Sequence, residues 1–212
     1  MSYTVIILSK SAENIIPCLT ALRKNEPFCR VVIIDGGIGQ QGIDQVRFFD
    51  PVTVLPGIKP FNFSRNCNIG ISTAVKYHDH AILLNDDALL ESRDGFTILH
   101  SAMRSNPEFG VICATTDATD QPLQKRRIHN GLREVPWADF VCVIIPASTI
   151  RRVGYFFEEG FSLEYGWEAR DYCERVKAAK LKVGVHDACF VSHSTLRPSY
   201  REDHHADCLV GI

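Results

Sequence analysis

Long apolar runs are missing from this 212-residue chain, and none approaches the length of a membrane span. The first ten residues, MSYTVIILSK, lack the basic start and small-residue cleavage site of a secretory signal. An excess of charge of one sign is missing too. The formal net charge is −2, which argues against a nucleic-acid surface as the main function. Paired cysteine motifs are absent although cysteine is not: Cys18, Cys29, Cys67, Cys113, Cys142, Cys173, Cys189 and Cys208 are dispersed and form no C-x-x-C. Most sit among apolar neighbours, where a free Cys behaves as a small hydrophobe. A disulfide scaffold and a zinc ribbon are therefore disfavoured, and a reducing, cytoplasmic compartment is expected.

What is present is alternation. Tyr3–Leu8, Arg30–Asp35, Val52–Leu55, Ala81–Leu84 and Gly110–Ala114 read as strands. Glu13–Lys24, Ser64–Lys76 and Gly95–Arg104 read as helices between them. Strands that are continuously apolar suit burial on both faces, so the pattern predicts a mostly parallel α/β sheet with helices on both sides. The second half is less regular. Thr115–Pro136 is polar and basic and reads as a hairpin or mobile excursion. Phe140–Ile145 is a strand, Ala147–Val153 a short helix, Gly154–Trp167 a loop and Glu168–Lys180 a helix. Lys182–Val185 and Cys189–Val191 are the last strands, before a polar tail.

Ligands of such sheets sit beyond the carboxyl ends of the strands. Four points lie there: Ser9-Lys10, Asp35, Asn85-Asp86-Asp87 and His193. Adjacent carboxylates ending a buried strand repel each other and lose solvation, so a divalent cation carrying phosphates would suit Asp86 and Asp87. The bland alternative is a turn, which Asn and Asp form through local hydrogen bonds. Asp35 can accept the N3–H of a uracil or thymine ring, or simply open the turn at Gly36-Gly37. His193 can complete the coordination of Mn²⁺ beside a carboxylate, or be structural. Arg65 projects near the same edge if a helix starts at Ser64, and suits a diphosphate or a surface ion pair equally. On the later helix, Asp171 lies well away from the apolar face of Ala169, Tyr172, Cys173, Val176 and Ala179, and Glu168 lies at its margin. They are expected to meet solvent or substrate, or to serve the helix dipole and an i,i+4 pair with Arg175. Trp137 and Trp167 can stack on a sugar ring or pack in a core.

Taken in order, TVIILSKSAENIIPCLTAL, IIDGG, FSRNCNIGI, ILLNDDALL, WEARDYCERVKAAKLKV and CFVSH resemble nucleotide-sugar glycosyltransferases of the GT-A fold, particularly the family 2-like group. A narrower resemblance is to the N-terminal domains of large chlorella-virus glycosyltransferases, which would imply a viral protein in the host cytoplasm. The resemblance implies one GT-A domain over 1–212: a nucleotide-binding half over about 1–114, an acceptor half with a small antiparallel element over about 115–194, and a tail over 195–212, with further domains possible beyond it. It implies a UDP-sugar donor such as UDP-glucose or UDP-rhamnose, a glycan acceptor, and Mn²⁺ or Mg²⁺. Ser9, Lys10 and Asp35 would lie at the nucleotide, Arg65 at the phosphates or sugar, and Asn85-Asp86-Asp87 on the D-x-D motif. Asp87 and His193 would be the metal ligands, with Asp86 near the ribose or sugar.

Two departures stand out. Asn85 replaces the first acidic residue of D-x-D. Ala169 replaces the Asp that inverting members use as base in E-D-x-D-L-x-x-R, although Glu168, Asp171 and Arg175 match. An inverting transfer needs a carboxylate to take the acceptor proton. Either Glu168 substitutes, or the transfer retains configuration, which is the reading favoured slightly. Two other classes remain open. A sugar-phosphate nucleotidyltransferase would normally carry a Gly-rich loop after the first strand, and Ser9-Lys10-Ser11-Ala12 has no Gly. A non-catalytic nucleotide-sugar-binding module would fit Asn85 and Ala169.

Overall fold

The computed structural model describes residues 3–128, 131–158 and 167–196. Its first four strands are β1 (Tyr3–Ser9), β2 (Arg30–Asp35), β3 (Val52–Pro56) and β4 (His80–Asn85). Three helices separate them: α1 (Ala12–Asn25), α2 (Gln40–Val46) and α3 (Phe63–Lys76). A short β5 (Leu89–Leu90), α4 (Gly95–Ser105) and β6 (Phe109–Thr116) follow. The rest comprises β7 (Leu132–Val135), β8 (Cys142–Ile145), α5 (Ala147–Val153), α6 (Trp167–Ala178) and β9 (Lys182–Ser192).

Among the described residues nine strands join one sheet in the order β3-β2-β1-β4-β8-β6-β9-β5, with β7 also on β9. β3, β2, β1 and β4 pair in parallel, β8 is antiparallel to both β4 and β6, and β6 is parallel to β9. Six strands therefore point the same way, and β5, β7 and β8 run against them. The expectation of a mostly parallel sheet with a small antiparallel element holds. Residues such as Ile6, Ile7, Ile33 and Ile34 are fully buried. At roughly 1.5–3 kcal/mol each, such burial exceeds the ~1 kcal/mol spread of β propensities and fixes these strands.

The sheet divides the core in two. One face packs α1 and α4 residues (Ile15, Leu19, Phe96, Leu99) on Val5, Ile7, Ile33 and Ile112. The other packs α3 and α6 residues (Cys67, Ile71, Tyr172, Val176) on Ile6, Val32, Leu83 and Val143. Seven described cysteines are free and buried in these layers, while Cys208 lies outside the described residues. Burial pushes the thiols of Cys18, Cys67 and Cys113 up, as suits packing groups and not nucleophiles.

Several local expectations need correction. α3 is capped by Asn62, not Ser64: extended Asn62 accepts the Arg65 N–H on Oδ1 at 2.8 Å, and Ser64 is buried inside the helix. Helix α2 escaped the sequence reading because only Gly42 and Val46 of it are buried, leaving little periodicity. Lys182–Val185 and Cys189–Val191 are one strand. Its register on β6 jumps from Ala114↔His186 to Thr115↔Phe190, so Asp187–Cys189 bulge out between two paired halves. The Thr115–Pro136 excursion holds a real strand, β7, anchored to that bulge by Arg133, whose guanidinium donates to both Asp187 carboxylate oxygens at 2.8 Å. Residues 129–130 of that excursion, 159–166 of the aromatic loop and 197–212 of the tail lie outside the described residues.

Candidate functional site

Direction decides where the polar residues gather. β1, β2, β4, β6 and β9 all end at one edge of the sheet. There Ser9 lies opposite Asp35, Leu8 opposite Asn85, and Thr116 opposite Val191, just before Ser192-His193. The edge thus collects Ser9, Lys10, Asp35, Asn85, Asp86, Asp87 and His193 from four strands distant in sequence.

Asp87 and His193 meet. Asp87 is fully buried, and its Oδ1 lies 3.1 Å from His193 Nε2. Its other oxygen, Oδ2, is buried with no hydrogen-bond partner among the described residues. On the far side of the ring, His193 Nδ1 lies 3.1 Å from the Ala118 carbonyl. A carbonyl only accepts, so Nδ1 carries a proton; Nε2 then presents its lone pair to a carboxylate when the ring is neutral and donates to Asp87 when it is protonated. Two lone pairs face each other unless a cation or a proton stands between them. Burial alone would lower the imidazole, but the hydrogen bond and charge of Asp87 outweigh it and raise His193 above its ordinary value. An orphaned carboxylate oxygen and an imidazole lone pair are a donor set that fits Mn²⁺ or Mg²⁺. Among the described residues no group of three His, Cys, Asp or Glu side chains is arranged to hold a metal.

Asp86 is buried as well and accepts a 2.7 Å hydrogen bond from Ser9 Oγ. Ser9 therefore ties β1 to the acidic turn. Lys10 lies across the end of β2, its ammonium 5.4 Å from the centre of the Phe61 ring. A Cβ on Gly36 would come within 2.8 Å of Lys10 Cγ and 2.9 Å of Phe61, so glycine is what lets these two close over the strand end. Asp35 organises the turn expected as its bland reading: Oδ1 accepts from the N–H groups of Gly37 at 2.8 Å and Ile38 at 2.7 Å. Asn85 continues the strand, its N–H donating to the Val141 carbonyl at 2.9 Å.

Arg65 stands in the first turn of α3, half-exposed, with Nε 3.5 Å from Glu158. At α6 the structure departs from expectation. Glu168 is buried, not at an open margin, and its charge adds to burial in pushing up the thiol of Cys67 on α3. Asp171 accepts from Arg175 Nε at 2.8 Å, and Arg175 also donates to the carbonyls of Tyr155 and Val153 at 2.9 and 3.2 Å. That pair clamps the chain after α5. Trp167 is exposed and Trp137 partly buried, and Arg170 lies 5.6 Å from each ring.

Asp117 was missed. It directly follows β6 at the same edge, and accepts from the His193 N–H at 2.7 Å, from Ser192 Oγ at 3.1 Å and from Ser194 Oγ. These bonds hold its carboxyl down at about 2, against the opposing effect of partial burial. Ending β6 at Ala114 hid it, because Thr115 and Thr116 are polar in sequence yet fully buried. Any acidic residue just past a strand of this edge carries the signal.

A sheet of this order, with its acidic turn after β4 at the carboxyl edge, has the GT-A, Rossmann-like fold. Solved structures agree. The chain is similar to GalNAc-T7 in complex with UDP, GalNAc and Mn²⁺, with a TM-score of 0.73 at 12% identity, covering 91% of this chain and 44% of that one. It is similar to S. aureus TarS 1-349 in complex with UDP-GlcNAc, with a TM-score of 0.67 at 13% identity over 97% of this chain and 64% of that one. A197 from STIV matches at a TM-score of 0.53 and 12% identity, over 90% and 84% of the two chains. This chain thus spans about half the length of the first of these structures and under two thirds of the second. No protein-family model and no curated protein matches its sequence.

Proposed function

We propose that the chain is a metal-dependent glycosyltransferase that moves a hexose from a UDP-sugar to a carbohydrate acceptor. The observation that carries this reading is the Asp87–His193 pair, with Asp87 Oδ2 buried and unsatisfied at the carboxyl edge of the sheet. The complexes of GalNAc-T7 with UDP and Mn²⁺ and of TarS with UDP-GlcNAc support the same class of donor. In this reading Asp87 and His193 would hold Mn²⁺ or Mg²⁺. When bound, the cation neutralises charge on the departing nucleoside diphosphate.

The chain's own residues do the rest. Ser9 holds Asp86 in place at the donor. The carboxylate of Asp35 faces uracil with the edge its turn leaves over, and Lys10 and Arg65 supply positive charge to the phosphates. Glu168 is the carboxylate on α6 nearest the role of base, while Asp171, committed to Arg175, faces the donor sugar from the side. Burial of Glu168 and the Ala at position 169 keep a slight preference for retention of configuration. UDP-glucose and UDP-rhamnose are the donors proposed first, with residues 1–212 forming one catalytic domain.

A second reading, a nucleotide-sugar-binding module without turnover, is favoured by Ala169 and by the engagement of Asp171 in its ion pair. Purified protein is incubated with UDP-sugars and Mn²⁺, and UDP release is followed with and without glycan acceptors. Acceptor-stimulated release supports the transferase. UDP binding without release from any donor supports the module, and pyrophosphate release from a sugar 1-phosphate and UTP overturns both.

A further inference from the structure

We propose that Asp117, with the carbonyl of Ala118, is the positioning element that makes His193 a metal ligand. This rests on the metal-dependent reading above. His193 follows the last residue of β9, and nothing in strand pairing fixes it beyond Ser192. Asp117 supplies that restraint. One oxygen, Oδ1, accepts the His193 backbone N–H at 2.7 Å, and the other, Oδ2, accepts the hydroxyls of Ser192 and Ser194 on either side. Three donors from three consecutive residues converge on one carboxylate, so the backbone carrying the imidazole is held at its own position and both neighbours.

The next residue fixes the ring. Ala118 accepts from His193 Nδ1 at 3.1 Å, which selects the tautomer whose Nε2 lone pair points at Asp87. Orienting contacts on the far nitrogen of a ligating histidine raise its basicity and set its direction. Among the described residues no hydrogen bond joins Asp117 to Asp87, and both bond to His193, so the effect of Asp117 on a cation passes through His193. It is a positioning residue.

The test measures Mn²⁺ binding to the UDP-saturated full chain, from the electron paramagnetic resonance signal of free Mn²⁺. Asp117→Ala is expected to weaken Mn²⁺ about 10-fold or more, the usual effect of removing an orienting partner. In a His193→Ala background the same change adds nothing further. Ser194→Ala keeps the carboxylate and loses one donor, so it weakens Mn²⁺ roughly 3-fold, and it decides the matter if Asp117→Ala fails to fold. Unchanged Mn²⁺ affinity in Asp117→Ala and Ser194→Ala overturns the proposal. So does an Asp117 effect that persists undiminished in the His193→Ala background. Should His193→Ala itself leave Mn²⁺ affinity unchanged, it is the metal-dependent reading that falls, and this inference with it.

Discussion

Ser9 at the end of β1 donates its hydroxyl to the Oδ2 of Asp86 at 2.7 Å, and both residues are almost wholly inaccessible to water. The serine is therefore part of the acidic turn, although 77 positions separate the two. Removing it takes a short hydrogen bond from a buried carboxylate. Ser9→Ala is expected to cost about 1–3 kcal/mol of unfolding free energy in urea titrations. A loss below a few tenths of a kcal/mol would mean that water replaces the hydroxyl without penalty.

Asp87→Asn keeps the size of the side chain and removes its charge. Loss of at least about 10-fold in Mn²⁺-dependent UDP affinity is expected, with metal-free UDP binding little altered. Calorimetric titration with and without Mn²⁺ separates the two. Equal affinity to the parent in Mn²⁺ would put the cation elsewhere.

Gly70 tests which of two effects wins in α3. Alanine is intrinsically better in a helix by about 1 kcal/mol. Here its Cβ would lie 2.2 Å from Ile6 Cγ2, a fully buried atom of the central strand. Overpacking of that kind costs roughly 1–3 kcal/mol, so Gly70→Ala is expected to destabilise. A raised melting temperature would show that α3 can slide on the sheet.

Acid stability carries a sign that two histidines set. His80 Nδ1 accepts the Ala147 N–H and His186 Nδ1 accepts the Ala188 N–H, each at 3.2 Å, and both roles require a neutral ring. Burial holds both below their ordinary value of 6.5. A folded pKa below the unfolded one means that the stabilisation is complete above 6.5 and is lost as pH falls through the lowered folded values. His193, raised in the folded state, works in the opposite sense. The melting temperature of His80→Gln should therefore fall less than that of the parent between neutral and mildly acidic pH. Parallel curves for the two proteins would assign the acid loss to other groups.

Asp171→Asn separates an anchoring role from a catalytic one. The change removes the carboxylate charge that pairs with Arg175, which holds the Val153 and Tyr155 carbonyls. Anchoring predicts lowered stability with kcat reduced only in proportion to folded protein. A loss of 100-fold or more in kcat by a fully folded variant would instead match removal of an acid–base group, worth about 10²–10⁴.

The sequence carried the first half well because β1, β2 and β4 are apolar on both faces, and such strands announce themselves by composition. Direction is another matter. Nothing in Phe140–Ile145 says that β8 inserts antiparallel between β4 and β6, since alternation and burial read the same from either end. The acidic turn was visible as residues, but the pairing of Asp87 with His193 came from family resemblance alone. Glu168 is buried although its helical position is marginal, because a helical wheel locates a face and not what packs against it. Asp117 lay beyond reach for a related reason: Thr115 donates its hydroxyl to the Cys189 carbonyl at 3.0 Å, a bulge contact that lets a polar residue stay inside a strand.

The insertion of β8 has a last consequence. Asp87 and His193 stand 106 residues apart in the chain, and of the two strands between β4 and β9 in the sheet, β8 runs the opposite way. A cation held by both would close nearly half the polypeptide into a loop, so its binding energy would count toward the cohesion of the entire sheet. Metal occupancy would then act as a latch on the assembled fold, and the melting temperature of the intact chain would report on it directly.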